Sequence, residues 1–130
     1  MDIKNKEKEQ VLSEREEVII KLEKQIAIGL WIQAVGQLIE LVSLYRLNLI
    51  SDEEEPMIEK QFLTGASLQT IGTFLEAIGV TEEIGIDSSE ISLGAQRLAV
   101  TGDWLQALGT ILEAVTGSEI IKENANLFVP

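Results

Sequence analysis

Large apolar residues recur at helical spacing from Val18, Ile19 and Leu22 through Ile26, Ile32 and Ile39 to Leu49, with no proline among them. Ser13 and Glu16 ahead of this run match a capping box, in which hydroxyl and carboxylate each satisfy a free backbone N–H. The pattern predicts a first helix of about 35 residues from Ser13, bending near Gly29 or Gly36. Residues 1–12, rich in Lys and Glu with few apolar positions, read as a charged, disordered lead-in. Four acids, Asp52 to Glu55, and Pro56 then break the pattern. They suit a helix N-terminus, so a second helix is expected from Asp52 or Pro56 to Ala77, with Gly79 as its left-handed C-cap. Residues 80–87 read as a connection, and Asp87, Ser88, Ser89 and Glu90 as the cap of a third helix ending near Gly117. Residues 118–130 form a C-terminal tail whose last apolar residues either dock or stay free.

Within these helices one stretch is written three times. Gly29, Gln33, Gly36 and Glu40 recur as Gly65, Gln69, Gly72 and Glu76, and again as Gly102, Gln106, Gly109 and Glu113. The copies stand 36 and 37 residues apart, which marks one supersecondary unit too small to bury its own apolar face. Short connections between long helices force neighbours to be antiparallel. The expected fold is therefore all-α: an up-down-up antiparallel bundle of three long helices over residues 13–117, built from three repeats and completed by self-association.

With the first glycine of each copy at position a of a heptad, Gly falls at a, Ile or Leu at d, and Gln then Glu at successive e positions. At about 100° per residue the large apolar residues at c, d and g share one arc, with Gly on one shoulder and Ala or Thr on the other. Trp31 and Trp104 occupy the same c position, where the middle copy has Ser67. Rings there read as core, or as exposed anchors at an oligomer interface. Mid-helix glycine costs roughly 1 kcal/mol against alanine, so the six repeat glycines forgo on the order of 6 kcal/mol. Close approach of antiparallel helices, with dispersion contacts along a whole seam, offsets that cost. Bending points for a helix that reshapes on binding are the alternative.

Composition narrows the function classes. The chain has 130 residues, 45% of them apolar, two prolines and 5% aromatics, which suits one helical domain with a real core. Cysteine and histidine are absent, removing thiolate metal sites, disulfides, the commonest general base and the commonest metal ligand. The formal net charge of −12 repels nucleic acid and anionic lipid headgroups. The glutamates of the polar stripe could hold a cation or act as acid and base, but antiparallel packing separates successive copies, leaving a solvated or hydrogen-bonding stripe as the main expectation. No phosphate-binding glycine loop or hydrolase motif is present. Residues 1–12 lack the apolar core of a secretory signal. The longest uncharged runs, 25–39 and 61–75, have 15 residues each, short of the ~18 that suggest a membrane span. A cytoplasmic, non-transmembrane protein without cofactors is expected, with binding at a membrane surface left open.

The recurring W-[IL]-Q-A-[VL]-G and G-x-x-L-Q-x-x-G strings, over roughly residues 25–117, resemble those of small, repetitive, functionally uncharacterised helical proteins of Bacillus and related Firmicutes. The resemblance implies a bacterial helical repeat protein and supplies no activity or site residues. From the residues themselves the leading expectation is a non-enzymatic, self-associating scaffold or interaction module, acting as a homo-oligomer or with another helical protein. The alternative is a peripheral protein that binds lipid or a small apolar ligand by exposing its c, d and g faces.

Overall fold

The structure, a computed structural model, describes residues 2–51, 56–85 and 89–127. These form three α-helices, α1 (Asp2–Ile50), α2 (Pro56–Glu83) and α3 (Ser89–Leu127), with no strand among the described residues. The architecture is the expected all-α, up-down-up antiparallel arrangement. It is not closed, however: α2 packs on α1 along one edge and on α3 along another, while among the described residues α1 and α3 make no direct packing contact. The three helices therefore form an open, bent layer with α2 in the middle, its two seams lying about 100° apart around its axis.

Several boundaries differ from expectation. α1 begins at Asp2, because residues 2–12 are mostly Lys, Glu and Gln, good helix formers that need no packing partner to extend an existing helix. Ser13 lies inside α1 and caps nothing, and α1 continues unbroken through Gly29 and Gly36. Gly79 is not a C-cap: it sits inside α2, where an added Cβ would lie 2.6 Å from the Ala95 carbonyl oxygen. The left-handed residue is Gly85, with φ of 71°, two positions after α2 ends. α3 runs past Gly117 to Leu127. The acidic run Asp52–Glu55, the cap residues Asp87 and Ser88, and the tail residues Phe128–Pro130 lie outside the described residues.

Two kinds of seam hold the layer together. Between α1 and α2 the buried residues are small: Ala27 and Ala34 on α1 against Ala66, Thr70, Thr73 and Ala77 on α2. They occupy the b and f positions of the repeat. Their hydroxyls are satisfied within α2, since Thr70 donates to the Ala66 carbonyl at 2.7 Å and Thr73 lies 2.9 Å from that of Gln69. This back-bonding lets a polar residue be buried at little cost. Thr73 also reaches Gln37 Oε1 at 2.5 Å, tying the two helices. Between α2 and α3 the seam is made by positions a and e.

Packing by narrow edges reverses the usual distribution of side chains. The broad c, d and g arc, expected to be core, is largely surface: Ile32, Val35, Leu38 and Ile39 on α1, and Leu108 and Ile111 on α3, are all exposed. The buried apolar side chains are all alanine. Glycine and alanine let the backbones touch at their edges, so many of the large side chains stand on the faces of the layer rather than between the helices. Of the two readings of the tryptophans, core or exposed, Trp104 takes the exposed one at 67%, whereas Trp31 is 37% exposed. Trp31 packs edge-on against Phe74 at 5.9 Å between ring centroids and donates to Thr81 Oγ1 at 2.9 Å.

Candidate functional site

The a and e positions of the second and third repeats meet in a reciprocal arrangement. A Cβ added to Gly72 would lie 2.5 Å from the Gly102 carbonyl oxygen and 2.8 Å from the Gln106 nitrogen. One added to Gly65 would lie 2.9 Å from the Gly109 carbonyl oxygen. The converse holds too, since Gly102 faces the Gly72 carbonyl and Gly109 faces that of Gly65. The first glycine of each repeat thus opposes the second glycine of the other. Only hydrogen fits at these four positions, and the approach places Cα–H groups against carbonyl oxygens.

The polar residues repeat the same symmetry. Gln69 Nε2 donates to Glu113 Oε2 at 2.7 Å, and Gln106 Nε2 donates to Glu76 Oε2 at 2.5 Å. The Gln of each repeat therefore serves the Glu of the other, and the two helices are related by a local two-fold axis normal to the layer. One further pair lies at one end of this seam, where the Thr116 hydroxyl, 2.7 Å from the Leu112 carbonyl, also lies 3.1 Å from the Gln61 side-chain amide.

Desolvation beside the seam raises the Glu76 carboxyl above its ordinary range; the bond from Gln106 opposes this and the neighbouring Asp103 carboxylate adds to it. Glu113 is raised for the same main reason, the bond from Gln69 opposing and the Glu40 charge adding.

The first repeat is not engaged. Nothing stands within 4 Å of a Cβ added to Gly29 or Gly36, and Gln33 and Glu40 are exposed. The expectation that Gly29 and Gly36 pack in the bundle is corrected for this chain by itself. The reason is that α1 meets α2 through its b and f positions, leaving the a and e edge turned roughly 100° away at about 100° per residue. Of the residues singled out from the repeat, Gly65, Gly72, Gly102, Gly109, Gln69, Glu76, Gln106 and Glu113 are brought together; Gly29, Gly36, Gln33, Glu40 and Trp104 are not.

The b and f seam was not anticipated from the sequence. Its signal was present in the seven-residue spacing of Ala27 with Ala34, of Ala66 with Thr73 and of Thr70 with Ala77. Gln61 and Thr116 were also missed, for they flank the repeat rather than lie in it. Among the described residues no group of three acidic side chains is placed to hold a metal ion. One stretch of α1 is long and apolar enough to cross a membrane by length and composition. Comparison with protein-family profiles, curated proteins and solved structures finds no match.

Proposed function

We propose that the chain is a non-enzymatic, self-associating helical protein that acts as a structural scaffold or interaction module. The observation that carries this reading is the inverted distribution of side chains. Accessible surface amounts to 9778 Å², against about 6,800 Å² for a compact monomer of this mass. The excess, about 3,000 Å² by that comparison, exceeds the ~1,600 Å² that a standard protein interface buries in total. Many large apolar side chains lie on that surface, and exposed apolar area favours association. Light scattering over a concentration series is the test. A folded chain that stays strictly monomeric at several hundred micromolar would overturn the proposal.

A second reading is favoured by a separate observation. The apolar stretch of α1 that meets the length requirement of a membrane span is almost entirely unburied, and small residues with back-bonded hydroxyls at helix seams are how helices pack in lipid. An open, mostly apolar hollow lined by Leu41, Val42, Tyr45, Leu49 and Leu63, with Arg46 and Ser67, adds a place for an acyl chain. In this reading the faces of the layer are covered by lipid or an apolar ligand. Tryptophan emission with neutral and with anionic vesicles tests it, Trp104 being the exposed reporter. An unchanged spectrum with both would remove lipid and leave self-association.

A further inference from the structure

We infer that the partner for the free edge of α1 is a second copy of the chain, bound through a two-fold antiparallel α1–α1 seam in which Gly29 opposes Gly36 of the second copy. This rests on the self-association reading and specifies its surface and register. The warrant is that the chain contains the same seam already formed. Repeats two and three show what this edge does when it meets its like: it pairs about a local two-fold axis, glycine against glycine, with Gln to Glu in both directions. An edge that is self-complementary within one molecule is self-complementary between two, which is the requirement for an isologous dimer.

The register follows by superposing α1 on α2 and on α3 through the repeat. Gly29, Gln33 and Gln25 take the places of Gly65, Gln69 and Gln61, while Gly36, Glu40 and Ser43 take those of Gly109, Glu113 and Thr116. Each Gln33 then donates to Glu40 of the second copy. Each Ser43 reaches Gln25 of the second copy, reproducing the Thr116 to Gln61 bond. Gln25 and Ser43 lie outside the motif that defines the repeat, so their match is an independent point of agreement. In the single chain none of Gln25, Gln33, Glu40 and Ser43 makes a hydrogen bond among the described residues, and all four are exposed. The charges are tolerated too. In this register the two Glu40 residues stand about 22 Å apart along the seam at 1.5 Å per residue, beyond the ~8 Å screening length at physiological salt.

The absence of cysteine makes the register directly testable. In the double variant Gln25→Cys/Ser43→Cys the two thiols of one chain are separated along α1 by about 27 Å, too far to join, whereas each faces its complement on the second copy. Oxidation is expected to give a covalent dimer from the double variant and from a mixture of the two single variants, and none from either single variant alone. Gly36→Leu, whose Cβ has nothing within 4 Å in the chain, is expected to keep the helical circular dichroism while weakening association at least about tenfold. Like-to-like links from the single variants would overturn the antiparallel register. If the wild type associates but the double variant does not link and Gly36→Leu has no effect, this surface is wrong and self-association stands. A wild type that is monomeric at several hundred micromolar removes both.

Discussion

At the scale of single residues, one glycine type serves two opposite situations, and substitution separates them. Gly72→Ala gains roughly 1 kcal/mol of helix propensity, but its Cβ would sit 2.5 Å from a backbone oxygen of α3. A backbone cannot rotate aside, so the helices must part, and a net loss of about 1–3 kcal/mol is expected. Gly36→Ala meets nothing and is expected to stabilise by roughly 0.5–1 kcal/mol. Thermal unfolding at concentrations where the chain is monomeric measures both. The glutamates of the seam add a pH dependence. Burial raises the carboxyls of Glu76 and Glu113 above the ordinary value of 4.5, so above that pH the native state holds protons the unfolded state has lost. Stability from these groups is therefore fully present below about pH 4.5 and is lost as pH rises through the raised values. The melting temperature should rise as pH falls from 7 towards 4.5. Glu76→Gln with Glu113→Gln should reduce that slope, since each amide keeps its place without a proton to bind. An unchanged slope would assign the effect to the net charge of −12 instead.

At the scale of the helix, what the sequence made legible was periodicity, and what it hid was the choice of edge. Three long helices, their antiparallel order and the Gly–Gln–Gly–Glu stripe could all be read from Gly29 to Glu113. That the stripe would pair reciprocally could not, because hydrogen bonds from Gln69 to Glu113 and from Gln106 to Glu76 depend on a register set by glycine contacts between distant residues. The apolar arc misled for a definite reason: Ile32 and Ile39 satisfy the same wheel whether they face a core or stand above a layer. The termini misled through propensity. Residues 2–12 carry too little apolar surface to pack, yet as good helix formers they extend α1. All residues from Asp2 to Ile19 are exposed, so deleting residues 1–12 should change the unfolding free energy of the remaining chain by no more than about 0.5 kcal/mol. A larger loss, measured by urea titration, would mean that this overhang packs against another molecule.

At the scale of the whole molecule, the distinction between core and surface loses its usual chemical meaning. The interior is alanine, glycine and back-bonded threonine, chosen for close approach, while Ile32, Ile39 and Ile111 are 68%, 63% and 58% exposed. In an ordinary soluble domain, replacing three such residues by a polar one would remove core contacts and cost roughly 2–5 kcal/mol at each site. Here they touch little within the chain, so Ile32→Gln, Ile39→Gln and Ile111→Gln together should change the stability of the isolated chain by no more than about 1.5 kcal/mol. What they should remove is the apolar cover offered to other molecules, so association seen by light scattering, or binding to neutral vesicles, should fall while helical circular dichroism is retained. A triple variant that keeps its helicity and still associates fully would locate the driving surface at the glycine edges alone. One that loses its helicity would show that the layer persists only while its faces are covered, making assembly a condition of folding rather than a consequence of it.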